Sequence, residues 1–268
     1  MLGCEFFNRK NMKNVMIANL KKNKKYNKDI LCTLIKAQIE NSLQFNWNIE
    51  DIILLTNFEF GFMGIHAIPI KLNDFCLTGS KVFGIKWIME NTEFEGPFWV
   101  HDLDAWQNAV FDCPDFLDVG FCTYSRPKIN GGSQFWRRSG KDILDKIILI
   151  LSSDKKEREE PTIDKICKNN KRVTILNSTY NVGCSGYQKR WDKADKPVKI
   201  CHFHPNNRIA WQTHCLDRNA LNFKGISDEL ENLIRKYYPD LQTELDEEGK
   251  RRREEHIKNI NGPMINEL

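Results

Sequence analysis

Three short apolar runs, KNVMIANL (Lys13 to Leu20), EDIILLTN (Glu50 to Asn57) and PFWV (Pro97 to Val100), are separated by two segments with a different apolar period. In DILCTLIKAQIENSLQF, residues Ile30, Leu31, Leu34, Ile35, Ile39 and Leu43 recur at helical spacing, with Lys36 and Glu40 on the other side. TGSKVFGIKWIMENTEFEG reads as a second helix, capped near Thr78 or Ser80. The run IILL has no polar alternation, which suits a strand covered on both faces. Strand, helix, strand, helix, strand is the order of an α/β unit with a mainly parallel sheet.

Beyond PFWV, the segments DVGFCTYSR and SQFWRRSGKDILDKIILIL predict a strand, a turn, another strand and a helix. SSDKKEREEP is a polar break, TIDKICKNN a short helix, and RVTILNS and VKICHFHP further strands. ISDELENLIRKYYP and the charged TELDEEGKRRREEHIKNI then turn helical. No internal repeat or low-complexity linker is visible. The expected organisation is one domain over residues 1–225 with a helical C-terminal extension over 226–268.

A chain of 268 residues, 41% of them hydrophobic, can bury a substantial core. Its 40 basic and 36 acidic residues leave a formal charge of +4, too mild to argue for nucleic acid. KKNKKYNK and GKRRREEH are broken by polar or acidic residues and read as solvated surface, although the second could touch anionic lipid or a partner. No run approaches the roughly 18 apolar residues of a membrane span, and the start lacks a secretory pattern, so a soluble cytoplasmic protein is expected. The 9 cysteines include no C-x-x-C pair, consistent with reduced thiols. A zinc set drawn from Cys201, His202, His204, His214 and Cys215 does not reproduce structural-zinc spacing.

In an open α/β sheet, ligands collect beyond the carboxyl ends of the strands. PFWVHDLDAW delivers Asp102 and Asp104 to such an end. Two carboxylates in a D-x-D arrangement can hold a hard divalent cation and leave positions open for phosphate and water. On a strand His202 and His204 share one face, so either could add an imidazole. A nitrogen ligand favours manganese over magnesium. Lys81 near a helix N-terminus is poorly placed for the helix dipole unless an anion lies close, with Lys86 as the alternative. The glycines of Asn130-Gly131-Gly132 allow either a tight turn or close backbone approach to a ligand. Asn19 and Asn57, at the ends of the first two strands, join the candidate ligand-binding residues. Trp99, Trp106, Trp136, Trp191 and Trp211 read mainly as core, with room among them for a sugar platform.

FWVHDLDAW resembles the D-x-D segment of GT-A nucleotide-sugar glycosyltransferases, in the pattern of the glycogenin-like and bacterial galactosyltransferase groups. GSKVFGIKW, INGGSQFW, EREEPTIDKI, LNSTYNVGC and VKICHFHP are similar to other family segments in the family's order, over about Lys13 to Trp211. The resemblance implies a Rossmann-like, mixed, mainly parallel sheet flanked by helices. It implies a metal ion, Mn2+ or Mg2+, on Asp102, Asp104 and His202, with Asp104 its direct ligand and Asp102 touching the ribose or the metal through water. Lys81 would face the donor phosphates, and Asn130, Gly131 and Gly132 the donor sugar. It implies a nucleotide-sugar donor, UDP-linked, and transfer to a hydroxyl of a glycan or protein acceptor, leaning to retention. Glu159-Glu160 replaces the family's usual Asp-Gln pair, and Glu160 is taken as the carboxylate nearest the reacting carbon or acceptor. Three other readings stand beside it: a haloacid-dehalogenase-like phosphatase using Asp102 as nucleophile, a nucleic-acid-binding module, and a non-catalytic sugar-nucleotide binder.

Overall fold

Adjacent residues in the apolar runs go to opposite faces of one sheet, which is why those runs carry no polar alternation. Val15, Leu55, Phe98 and Trp136 pack on one face, while their neighbours Met16, Leu54, Trp99 and Phe135 pack on the other. The computed structural model describes residues 12–20, 28–71, 79–123, 127–153, 157–183, 187–202, 232–233 and 236–237. Its first part comprises β1 (Lys13–Ala18), α1 (Lys28–Gln44), β2 (Ile52–Thr56), the short β3 (Gly61–Phe62), β4 (Ile65–His66) and β5 (Ile68–Pro69), α2 (Ser80–Asn91), β6 (Phe98–His101) and β7 (Ala105–Gln107). There follow β8 (Val119–Thr123), β9 (Ile129–Trp136), α3 (Lys141–Ser153), α4 (Glu159–Cys167), β10 (Val173–Ile175), β11 (Val182–Gly183), α5 (Tyr187–Lys193) and β12 (Ile200–His202).

The main sheet has 7 strands in the order β10-β8-β9-β6-β1-β2-β5. β1 is parallel to β2 and β6, β2 to β5, and β8 to β10, while β9 runs antiparallel between β6 and β8. The expected mixed, mainly parallel sheet is thus present. Leu31, Ile35 and Ile39 of α1 cover one face; Val82 and Ile85 of α2, Leu144 and Ile147 of α3, and Ile163 of α4 cover the other. A second sheet, β11-β12-β7, stands at the carboxyl end of β6.

Three local expectations are corrected. Asn130, Gly131 and Gly132 do not form a turn before a strand; they are buried within β9, where a register irregularity opposite, between Phe121 and Cys122, absorbs them. The N-cap of α2 is Gly79, which has no side chain to cap with; Ser80 is the first helical residue and its hydroxyl accepts from Asn19 Nδ2 at 2.7 Å, while Thr78 lies outside the described residues. α4 starts at Glu159, ahead of TIDKICKNN, with acids in its first turn where the dipole favours them.

The chain separates into two units, residues 1–204 and 205–268. The boundary expected near 225 and nearly all of the C-terminal extension lie outside the described residues, as do KKNKKY, His204, Trp211, His214 and Cys215. Among the described residues no helix is long and apolar enough to cross a membrane.

Candidate functional site

After β6 the chain bends at Asp102: its N–H donates to the Gly132 carbonyl at 2.9 Å, and its own carbonyl accepts from Ala105 N–H at 3.0 Å. The bend shunts the chain into β7. There β12 pairs antiparallel, with His202 opposite Ala105. His202 Nε2 consequently stands 3.2 Å from Asp104 Oδ1 and 3.6 Å from Asp102 Oδ2. One ligand atom from each of Asp102, Asp104 and His202 lies within 4.8 Å of the others. Ligands adjacent on an octahedral ion with bonds near 2.1 Å are about 3 Å apart, so this oxygen, oxygen, nitrogen set can hold a divalent cation.

Lys81, in the first turn of α2, reaches under the two acids. Its Nζ donates to Asp102 Oδ1 at 2.5 Å and to the Gly131 carbonyl at 2.6 Å, and forms an ion pair with Glu159 Oε1 at 3.6 Å. Burial alone would lower the Lys81 pKa, but Asp102 and Glu159 outweigh it and raise it, so the ammonium stays charged. Burial pushes the Glu159 carboxyl up to about 7, against the pull of Lys81. Gln134 completes the layer, donating to the Gly131 carbonyl at 2.8 Å and Glu159 Oε1 at 3.1 Å and accepting from Trp136 Nε1 at 2.9 Å. Asp104 has no cation beside it other than the His202 ring among the described residues, so the negative charge of the Asp102–Asp104 pair exceeds what Lys81 supplies, and a bound cation would balance it.

The backbone of Asp102 is also held by His101. His101 is stacked on Trp99 with centroids 4.1 Å apart, and its ring nitrogens meet the Asp102 carbonyl and Asn14 Oδ1, each at 2.9 Å. Burial lowers its pKa to about 4, so the ring is neutral.

The other expected site residues are dispersed around this centre. Asn130 Oδ1 accepts from Gly132 N–H at 2.9 Å, and Gly131 N–H donates to Glu160 Oε1 at 3.1 Å. Lys128 Nζ stands 3.6 Å from the other Glu160 oxygen. Asn19 Nδ2 donates to Ser80 Oγ, next to Lys81, and its buried Oδ1 accepts no hydrogen bond among the described residues. Asn57 is committed to the Leu20 backbone, whose N–H it accepts at 2.8 Å and whose carbonyl it bonds at 2.9 Å. Lys86 is turned to α3, where Asp145 holds it at 3.0 Å. Strand alternation turns Cys201 away from His202, and its pairing partner is Trp106, so the two do not form a joint zinc site. Trp99, Trp106 and Trp136 are buried.

Sequence reasoning missed Glu159, Gln134 and His101. Glu159 was visible only as half of an acidic pair inside a charged tract; its burial at 3% exposure comes from α4 packing against β9.

No family model and no curated protein matches the sequence. Solved structures do. The chain is similar to the galactosyltransferase LgtC, solved in complex with donor and acceptor sugar analogs, at 12% identity and a TM-score of 0.55, covering 84% of this chain and 96% of that one. It is similar to a glycosyltransferase involved in glycosylation of the major capsid of PBCV-1, at 12% identity and a TM-score of 0.50, covering 75% and 98%. For the glycosyltransferase GlyE of Streptococcus pneumoniae TIGR4 the values are 12% and 0.54, covering 86% of this chain and 64% of that one. The fold is therefore that of the GT-A glycosyltransferases, with its main sheet mixed and mostly parallel.

Proposed function

We propose that this chain is a metal-dependent glycosyltransferase that moves a hexose or pentose from a nucleotide-diphosphate sugar to a hydroxyl of a glycan or protein. The observation that carries the reading is the convergence of Asp102, Asp104 and His202 at the carboxyl edge of a GT-A sheet. UDP as the donor nucleotide and manganese as the ion rest on the family resemblance and on the imidazole in the donor set.

In this reading Asp104 and His202 would hold the cation, and Asp102, paired with Lys81, would complete the set. A divalent ion there supplies neutralisation of the charge that develops on the departing diphosphate. Lys81 keeps Asp102 oriented and adds a fixed positive charge beneath the phosphates. Asn19, whose buried Oδ1 accepts no hydrogen bond among the described residues, would meet the donor from the end of β1. Glu160, which accepts from Gly131 N–H and is faced by Lys128, is the carboxylate assigned to the sugar carbon or acceptor side, with retention of configuration.

The reading is tested by a thermal-shift panel of nucleotide sugars with and without Mn2+, since a ligand that binds only the folded state raises its apparent stability. Stabilisation by a UDP-sugar that requires Mn2+, followed by its turnover with release of UDP, is expected. No response to any nucleotide sugar would overturn it.

A further inference from the structure

Gly132 is held at three points. Its N–H donates to Asn130 Oδ1, its carbonyl accepts from Asp102 N–H, and the imidazole of His202 lies over its α-carbon. A Cβ at this position would stand 1.8 Å from Cε1, 2.0 Å from Nδ1 and 2.7 Å from Nε2 of His202. All three distances fall inside the 3.0 Å limit that real Cβ contacts respect. The φ of Gly132 is outside the left-handed region, so the backbone itself does not call for glycine; only the imidazole does. The neighbouring Gly131 is different, because a Cβ there would meet nothing nearer than 3.4 Å.

One residue of β9 thus fixes two site groups from distant parts of the chain, Asp102 through its carbonyl and His202 through its absent side chain. We propose that Gly132 is a positioning residue that seats His202 for a divalent cation, rather than a contact to the donor sugar. This rests on the metal reading of Asp102, Asp104 and His202. With His202 almost wholly buried, a methyl group at 132 displaces the ring from Asp104, and the ligand set loses its nitrogen.

Calorimetry with Mn2+ alone, on the full chain and on Gly132→Ala, His202→Ala and the double variant, tests the proposal, alongside urea unfolding of the four metal-free proteins. Gly132→Ala should weaken Mn2+ binding roughly tenfold or more. The double variant should bind no more weakly than His202→Ala, and Gly132→Ala should lower the unfolding midpoint only where His202 is present. Mn2+ binding by Gly132→Ala within about twofold of the parent, or an equal loss of stability in both backgrounds, would overturn the proposal. If the parent itself binds no Mn2+, the metal reading fails. The metal-free cycle then decides separately whether the ring is seated on this glycine: coupling supports the seat, and additivity removes it.

Discussion

His202 Nε2 stands 3.2 Å from Asp104 Oδ1 across a sequence separation of 98 residues, and the pairing of β12 with β7 is what closes that gap. Each side of the site is therefore supplied by a different segment, and the segments can be tested one at a time.

Asp104→Ala should abolish Mn2+-dependent binding of the nucleotide diphosphate while shifting unfolding stability by no more than about 1 kcal/mol, since the carboxylate sits at a bend and the one side chain it bonds among the described residues is His202. Calorimetry with UDP and Mn2+ is the check. Undiminished metal-dependent binding would remove Asp104 from the ligand set.

Lys81→Met should cost about 3 kcal/mol in urea unfolding, because it removes the buried ammonium that sits against Glu159 and Asp102 and is the only ammonium partner of Asp102 among the described residues. Lys86→Met, which breaks half-exposed pairs with Asp145 and Glu90, should cost about 1 kcal/mol or less. Equal costs would mean that the Lys81 cluster is solvated.

Glu159→Gln should change how stability depends on pH. The folded carboxyl holds its proton up to about 7 against an ordinary 4.5, so between these values the folded state binds more protons than the unfolded chain. That contribution is complete below pH 4.5 and is lost as pH rises through about 7. Relative to the parent, the glutamine variant should gain up to about 3 kcal/mol between about pH 5 and about pH 8. Parallel pH profiles for the two proteins would show that Glu159 titrates normally.

Asn181→Leu should stabilise the fold by about 1–2 kcal/mol, because both side-chain amide atoms of Asn181 are buried without a hydrogen-bond partner among the described residues. A loss of stability in chemical denaturation would show that the amide is satisfied by water.

What the sequence determined by itself is what depends on local pattern. Period-3.6 apolar spacing in residues 29–45 and the unbroken apolar runs of β1, β2 and β6 follow from burying one helix face or both strand faces, and they dictated an α/β sheet with Asp102 and Asp104 at a strand end. Tertiary structure alone decided the rest. β7 and β12 are three residues each, too short to carry a period, and their pairing is a long-range event that no window of sequence contains. The glycines of INGG read as a turn because turns favour glycine, yet they lie in β9, where Gly132 leaves space for an imidazole from the far end of the domain. Glu159 and Glu160 are chemically alike and adjacent, so composition could not say which one enters the interior. The packing of α4 against β9 buries Glu159 beside Lys81 and leaves Glu160 at the edge, because successive residues of a helix point about 100° apart.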